Sequence, residues 1–366
     1  MTLLPMAVDG VGPSHTCVSL LRGMQAAGTE VRLYANRNRH ALGDLPHRVT
    51  IPRALSKLPY KPFAKRASAA TEAAYLRALR PGDIAYLWPL TSLATIEAVA
   101  ARGNPIFLEG INTRMSHART VMDAVYAAEG LAPAHGITDA RVAEEEAQLA
   151  LAAGIFAPSP AVEEALEGSP LRAGGMLGAS YGTAEPVQTA LADPDRPLRF
   201  LFIGSLNLRK GAHMLLRAWA EAKIDGELVM AGYLEEAVGQ RCADELALPS
   251  VRPLGFVRDV PALYRTADVF ILPSFEEGDP LVTYEAAAHG LPIIASPAGA
   301  GRMGAETGCV DLIDPAECDS LVAALRRHAE DPAYRAQRAA AARTAVADYT
   351  WGKVAARRAD ALRRVT

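Results

Sequence analysis

Short apolar runs alternate with stretches of helical period along almost the whole chain, the pattern of parallel sheets built from βαβ units. In the first half, residues 3–8, 30–35, 84–88, 105–109 and 154–157 read as strands, and residues 14–27, 62–79, 93–101, 116–130 and 139–151 as helices. Residues 183–197, TAEPVQTALADPDRP, follow neither period and are rich in Pro, Ala and Asp, so they read as a linker. A second alternating series has strands at 198–203, 227–231, 251–254, 269–272, 292–295 and 310–313. Its helices include 212–222 and 281–290, then 317–329, 333–348 and an arginine-rich 352–364. The expected organisation is a first α/β domain over 1–182, the linker 183–197, a second domain over 198–350 and a terminal helix over 351–366.

The most informative local pattern lies between two strands of the second series. The apolar run Val269-Phe270-Ile271-Leu272 reads as a buried strand, and Glu277 follows in the turn. Asp279 is a good N-cap and Pro280 a good first helical residue, so a helix is expected to start there. Glu285 then lies roughly 9 Å further along the axis, on the face shared by Leu281 and Ala288. One carboxylate before the helix and one on its first turns lie beside the carboxyl ends of the strands, where open α/β sheets bind ligands. An ordinary βαβ unit with two solvated glutamates would show the same spacing, so the neighbouring residues carry the inference.

A second block, Leu201-Phe202-Ile203-Gly204-Ser205-Leu206-Asn207-Leu208-Arg209-Lys210-Gly211, passes from a strand through a short loop to a helix. A cation and backbone N–H groups at such a turn suit a diphosphate, whose charge needs several donors at once. Between the two blocks lie Gly255-Phe256-Val257 and Asp259-Val260-Pro261. In the first half, Asp9-Gly10-Val11-Gly12-Pro13-Ser14 leaves the first strand and enters a helix. Its glycines permit close backbone approach, though a G-x-G alone says little.

Taken together, Glu277 and Glu285, the alanine-rich helix after them, the Gly-Leu-Pro at 290–292 and the loop around Lys210 resemble the E-x7-E retaining glycosyltransferases of glycosyltransferase family 4. The resemblance implies the GT-B fold, two Rossmann-like domains facing across a cleft, with the terminal helix crossing back onto the first domain. It covers nearly the whole chain, closely in the second half and more loosely in the first. By that resemblance Lys210 holds the nucleotide diphosphate, Glu285 the ribose hydroxyls and Glu277 the donor sugar. Gly278, Leu281 and Val282 line the same turn, and Gly10 and Gly12 face the diphosphate across the cleft. Backbone groups near Phe256 and Val257 read the base, with Phe256 either a stacking surface or part of the core.

The chain departs from the family in three places. Ser205 stands where the family carries its phosphate arginine, and Arg209 beside Lys210 is the substitute on offer. Gly278-Asp279-Pro280 replaces Gly-Phe-Gly, so Pro280 removes one N–H donor. Asp279 either caps the helix or hydrogen-bonds a donor hydroxyl. The histidine common near the reacting sugar is missing, and Glu109 with Asn112 occupies that region, Glu109 being the residue placed for catalysis; His117 reads as a surface residue. The implied reaction transfers a sugar from a nucleotide-sugar donor to a saccharide or lipid-linked acceptor, with no metal or other cofactor. A degenerate member that binds without transferring, and a Rossmann oxidoreductase, are the alternatives; the second is disfavoured because Ser14-His15 breaks any G-x-G-x-x-G.

Composition narrows the picture further. A chain of 366 residues, 50% apolar, suits two packed domains and argues against disorder. A net charge of −3 gives no field for nucleic acid. Four scattered cysteines without C-x-x-C point to reduced thiols in a cytosol, and no apolar run reaches the ~20 residues that cross a bilayer. Five cations without an acid at 53–66, interleaved with Leu58, Tyr60 and Phe63, suit either a solvated loop or an anionic membrane surface, so a peripheral location on the cytoplasmic membrane face stays open.

Overall fold

The computed structural model describes residues 1–40, 42–51, 63–186 and 196–365. Most of the linker and of the basic stretch therefore lies outside the described residues. The first half comprises β1 (Thr2–Val8), α1 (Gly12–Ala26), β2 (Leu33–Asn38), β3 (His47–Val49), α2 (Ala64–Ala78), β4 (Ala85–Leu87), α3 (Leu93–Ala100), β5 (Ile106–Glu109), α4 (Met115–Ala128), α5 (Asp139–Leu151), β6 (Gly154–Ala157), α6 (Pro160–Leu166) and β7 (Met176–Gly178). The second half comprises β8 (Leu198–Ile203), α7 (Ala212–Ala222), β9 (Gly226–Ala231), α8 (Glu236–Arg241), α9 (Ala243–Leu246), β10 (Val251–Gly255), α10 (Val260–Arg265), β11 (Val269–Leu272), α11 (Leu281–Ala288), β12 (Ile293–Ala295), α12 (Pro297–Thr307), β13 (Asp311–Leu312), α13 (Cys318–Glu330), α14 (Pro332–Val346) and α15 (Trp351–Val365).

Two wholly parallel sheets result, ordered β3-β2-β1-β4-β5-β6-β7 and β10-β9-β8-β11-β12-β13. Both central strands are mostly apolar, as sheets covered on both faces require: Phe200, Leu201 and Phe202 of β8 are fully buried. In each sheet the chain winds outward from one strand in both directions. β1 sits between β2 and β4, and β8 between β9 and β11. These reversals open a crevice at the carboxyl ends of β1 and β4, and of β8 and β11. The loops after β1, β8 and β11 are the ones that carry Gly10, Lys210 and Glu277.

Three elements of the first half escaped the sequence reading. β3 and β7 are three-residue edge strands, His47-Arg48-Val49 and Met176-Leu177-Gly178, too short and polar to show a period. α6 is announced only by Ser159, whose hydroxyl caps Val162 N–H at 3.3 Å, and by Pro160. β2 starts three residues later than its apolar run and carries Asn36 into the core, where Asn36 Nδ2 donates to Pro5 O at 3.0 Å and its Oδ1 accepts from Thr71.

The terminal helix α15 packs on α1, where Gly23 leaves room for Ala355: a Cβ at Gly23 would lie 2.4 Å from that of Ala355. Arg358 enters the first half from α15 and is buried. It pairs with Glu109 at 2.6 Å and donates to Ser180 O at 3.2 Å, while Tyr86 Oη donates to the same carboxylate. No part of the Glu109 side chain reaches solvent. The expectation that Glu109 acts at the reacting sugar is therefore corrected. Its carboxylate is a buried counter-ion for the terminal helix, and the sequence could not show a partner 249 residues away.

Removing one member of a buried, hydrogen-bonded pair leaves an uncompensated charge, at a cost of about 3–5 kcal/mol. Arg358→Met is expected to destabilise the chain by that amount in urea unfolding followed by circular dichroism, and Arg358→Met with Glu109→Gln to recover part of it. A single-variant loss under ~1 kcal/mol, the range of exposed pairs, would contradict the structural role.

Candidate functional site

The loop from Gly204 to Gly211 folds back on itself before α7. Asn207 Oδ1 accepts Lys210 N–H at 2.9 Å, and the Lys210 ammonium pairs directly with Glu277 Oε1. Ser274 Oγ donates to the same oxygen at 3.2 Å. Arg209 stands beside this pair, 3.1 Å from Glu276 and 3.4 Å from Glu277. Burial pushes the Glu277 carboxyl up, but Lys210 and Arg209 outweigh it and hold the group below its usual range. An ionised carboxylate with two cations is thus gathered from two separate turns at one sheet's switch point.

The first half closes over this cluster. Glu276 Oε1 accepts from Thr113 Oγ1 at 2.8 Å and Thr113 N–H at 3.1 Å, so one carboxylate spans the two lobes and holds Arg209. Gly278 lies against the backbone after β5, where a Cβ would sit 2.0 Å from Ile111 O. Farther along the same boundary, Arg217 of α7 grips Glu129 at the end of α4 with two bonds of 2.7 Å. Next to the clasp is a cavity of about 860 Å³, bounded by Trp88, Asn112, Arg114, Gln148, Asn207, Arg209 and Glu276 from both lobes.

Glu285 projects from α11 and is half-buried. Tyr264 Oη donates to its Oε2 at 2.8 Å, His289 stacks on Tyr264 at 4.9 Å between ring centroids, and burial raises the carboxyl above its usual range. Leu281 and Val282 occupy the first turn of α11, half-buried, with Val282 O accepting from Tyr264 Oη at 3.3 Å. Val257 is likewise half-buried, but Phe256 is 57% exposed and stacks on Tyr233, itself 68% exposed, at 5.5 Å and 14°. Phe256 is thus not core; the two rings present an aromatic surface at the carboxyl ends of β9 and β10. Ser205 is exposed where the chain leaves β8. In the opposite lobe Gly10 and Gly12 both take positive φ, +83° and +52°, and the Asp9 carboxylate accepts from Ser14 Oγ at 2.7 Å and Val11 N–H at 3.3 Å. Asp9 thereby shapes the loop that Gly10 belongs to.

Asp279 does not cap the helix. α11 starts one residue later, with Pro280 at the N-cap and no side-chain bond there. The Asp279 carboxylate is instead buried, its oxygens taken by Tyr181 N–H at 2.7 Å, Arg302 N–H at 3.0 Å and Tyr284 Oη at 2.8 Å. The cap role is thus corrected, and both carboxylate oxygens already accept from the protein itself. The sequence reading also missed Glu276, Thr113, Tyr264 and Tyr233. Glu276 was signalled by the tandem Glu276-Glu277, but only the fold shows that the two side chains serve different lobes.

Residues 197–331 match the model of the family described as Glycosyl transferases group 1. A D-inositol 3-phosphate glycosyltransferase of Streptosporangium roseum is 32% identical over 177 residues, 44% of this chain and 41% of that protein. An MMP alpha-(1->4)-mannosyltransferase of Mycolicibacterium hassiacum is 33% identical over 176 residues, 46% of this chain and 40% of its own length. The chain thus matches about two fifths of the length of these curated relatives. Among solved structures, a sucrose-phosphate synthase of Thermosynechococcus elongatus superposes with a TM-score of 0.73 at 20% identity, over 100% of this chain and 98% of that one. The Anabaena protein HepE, solved in complex with UDP-glucose, superposes with a TM-score of 0.68 at 17% identity over 100% of both chains. The chain has the GT-B fold, two parallel sheets with surrounding helices.

The approach at Gly278 gives a direct test of the closed arrangement. Gly278→Ala is expected to force the lobes apart and enlarge the radius of gyration measured by small-angle scattering. An unchanged scattering curve would contradict the contact with Ile111.

Proposed function

We propose that this chain is a retaining glycosyltransferase, transferring a sugar from a nucleotide-sugar donor to a saccharide or lipid-linked acceptor in glycoconjugate biosynthesis. The observation that carries the reading is the gathering of Lys210, Arg209 and Glu277 at the switch point of the second sheet, sealed by the first lobe through Glu276 and Thr113. Supporting it are the family match over 197–331 and the fold shared with a protein solved with UDP-glucose.

In this reading the donor diphosphate competes with Glu277 for Lys210 and Arg209. Their charge then offsets the negative charge that grows on the leaving diphosphate, the main electrostatic requirement of the transition state. Glu277, released from Lys210, accepts hydrogen bonds from the donor sugar and supports positive character near its anomeric carbon. Glu285, steadied by Tyr264, accepts from the ribose. The aromatic face of Phe256 and Tyr233 receives the base, with backbone groups near Val257 at its edge. Gly10 and Gly12 bring the first lobe's backbone against the diphosphate. No metal is required, since cationic side chains neutralise the phosphates. The acceptor enters through the cavity shared by the lobes, near Asn112, Arg114 and Gln148.

Thermal-shift screening against UDP-, GDP- and ADP-sugars is expected to give stabilisation by one nucleotide class, followed by sugar transfer to candidate acceptors. No shift with any of them would overturn the reading. Lys210→Ala is expected to lower kcat by about 10²–10³, the loss seen when a transition-state charge partner is removed, and to lower the melting temperature as well, since Glu277 then keeps only Arg209 as a counter-ion. Glu285→Gln is expected to act mainly on donor KM. A Lys210→Ala variant that retains full turnover would contradict the assigned role.

A further inference from the structure

Asp279 lies two residues past Glu277, and both oxygens of its buried carboxylate accept hydrogen bonds. The donors come from three separate parts of the chain. Tyr181 N–H belongs to the stretch leading out of the first sheet, Tyr284 Oη to α11 and Arg302 N–H to α12. Arg302 N–H is free to donate because α12 breaks at Gly301, with φ +61° and ψ −165°. A Cβ at Gly301 would lie 2.2 Å from Asp279 Oδ1, so only glycine admits the carboxylate. The Arg302 guanidinium then returns to the first sheet, donating to Ala179 O and to Ala157 O at 3.2 Å and pairing with Glu163. On the far side of Tyr181, Ser180 O accepts from Arg358. The crossover at 179–181 is therefore bound on both sides to charged groups, and one of them opens the helix that carries Glu285.

We propose that Asp279 is a positioning residue, a buried latch that fixes the crossover between the lobes onto the donor turn, so that lobe closure and the placement of Glu277 and Glu285 are set together. The inference rests on the reading of this turn as the nucleotide-sugar site. It also gives a physical reason for the departure at 278–280, where an aspartate replaces an aromatic residue. A carboxylate presents two oxygens to two N–H groups that approach from different sides. An amide of equal size presents one oxygen and turns its own NH₂ onto the other N–H. Asp279→Asn must therefore lose one anchor without any change in bulk.

Burial pushes the Asp279 carboxyl up to about 6, against the pull of the Tyr181, Arg302 and Tyr284 donors. The groups around it are Tyr284 of α11, Arg302 with its partners Glu163 and Glu306, and Tyr349, whose ring lies 5.5 Å from that of Tyr284. Burial raises both tyrosines. Burial also raises Glu306, but hydrogen bonds from Arg302 and Tyr349 hold its carboxyl below the usual range.

The test uses the full chain. In the absence of nucleotide, hydrogen exchange of Asp279→Asn, Asp279→Ala and Gly301→Ala is expected to speed up at both 179–183 and 300–304 by about 10-fold, the loss of one charge-assisted hydrogen bond. With UDP, GDP and ADP as probes, Asp279→Asn is expected to bind about 10-fold more weakly than the wild type. Unchanged exchange at both segments overturns the latch. Faster exchange with wild-type affinity also overturns it, reducing Asp279 to local packing. If none of the three nucleotides binds the wild type, the reading of the site fails instead, and exchange alone decides the latch.

Discussion

The Lys210 ammonium facing the Glu277 carboxylate is the interaction on which the rest of the arrangement depends. Each charge is largely withdrawn from water, so each needs the other, and neither could stay in place if its turn were free to move. Lys210 is fixed by the Asn207 turn before α7, and Glu277 by Ser274 at the exit of β11. Both turns leave adjacent parallel strands at the point where the chain reverses its winding. The sheet thus determines which two loops can meet, and the side chains on those loops determine what they hold.

Closure by the first lobe follows the same electrostatic logic. Glu276, next to Glu277, turns the other way and accepts two bonds from Thr113, while Arg209 is shared by both glutamates. Adjacent carboxylates could repel each other; here a common guanidinium and separate lobes keep them apart. The terminal helix completes the clasp by burying Arg358 against Glu109 and Ser180 O. The lobes are therefore joined by buried charges at several points, and the crossover at 179–181 lies between two of them. Among the described residues no helix is long and apolar enough to cross a membrane.

Much of this was legible in the sequence because parallel strands are continuous apolar runs. The strands at 154–157, 198–203 and 269–272, and the helices at 139–151 and 212–222, have the bounds their periodicity implies. The edge strands β3 and β7 were not legible, since three residues with polar or glycine members carry no period. The residues around Lys210 and Glu277 could be found because local spacing places them at strand ends. Glu109 and Asp279 were misassigned for one shared reason. A strand-end glutamate and an aspartate before a helix look locally like a catalytic group and a cap, but tertiary partners at 358, 181 and 302 claim them first. Local chemistry cannot reveal an acceptor already occupied by a distant donor.

A crystal structure with a bound nucleoside diphosphate would test the central claim most directly. The β-phosphate is expected within hydrogen-bonding distance of Lys210 Nζ, with the Lys210–Glu277 contact broken or lengthened to admit it. A diphosphate bound elsewhere, with the Lys210–Glu277 pair intact, would contradict it.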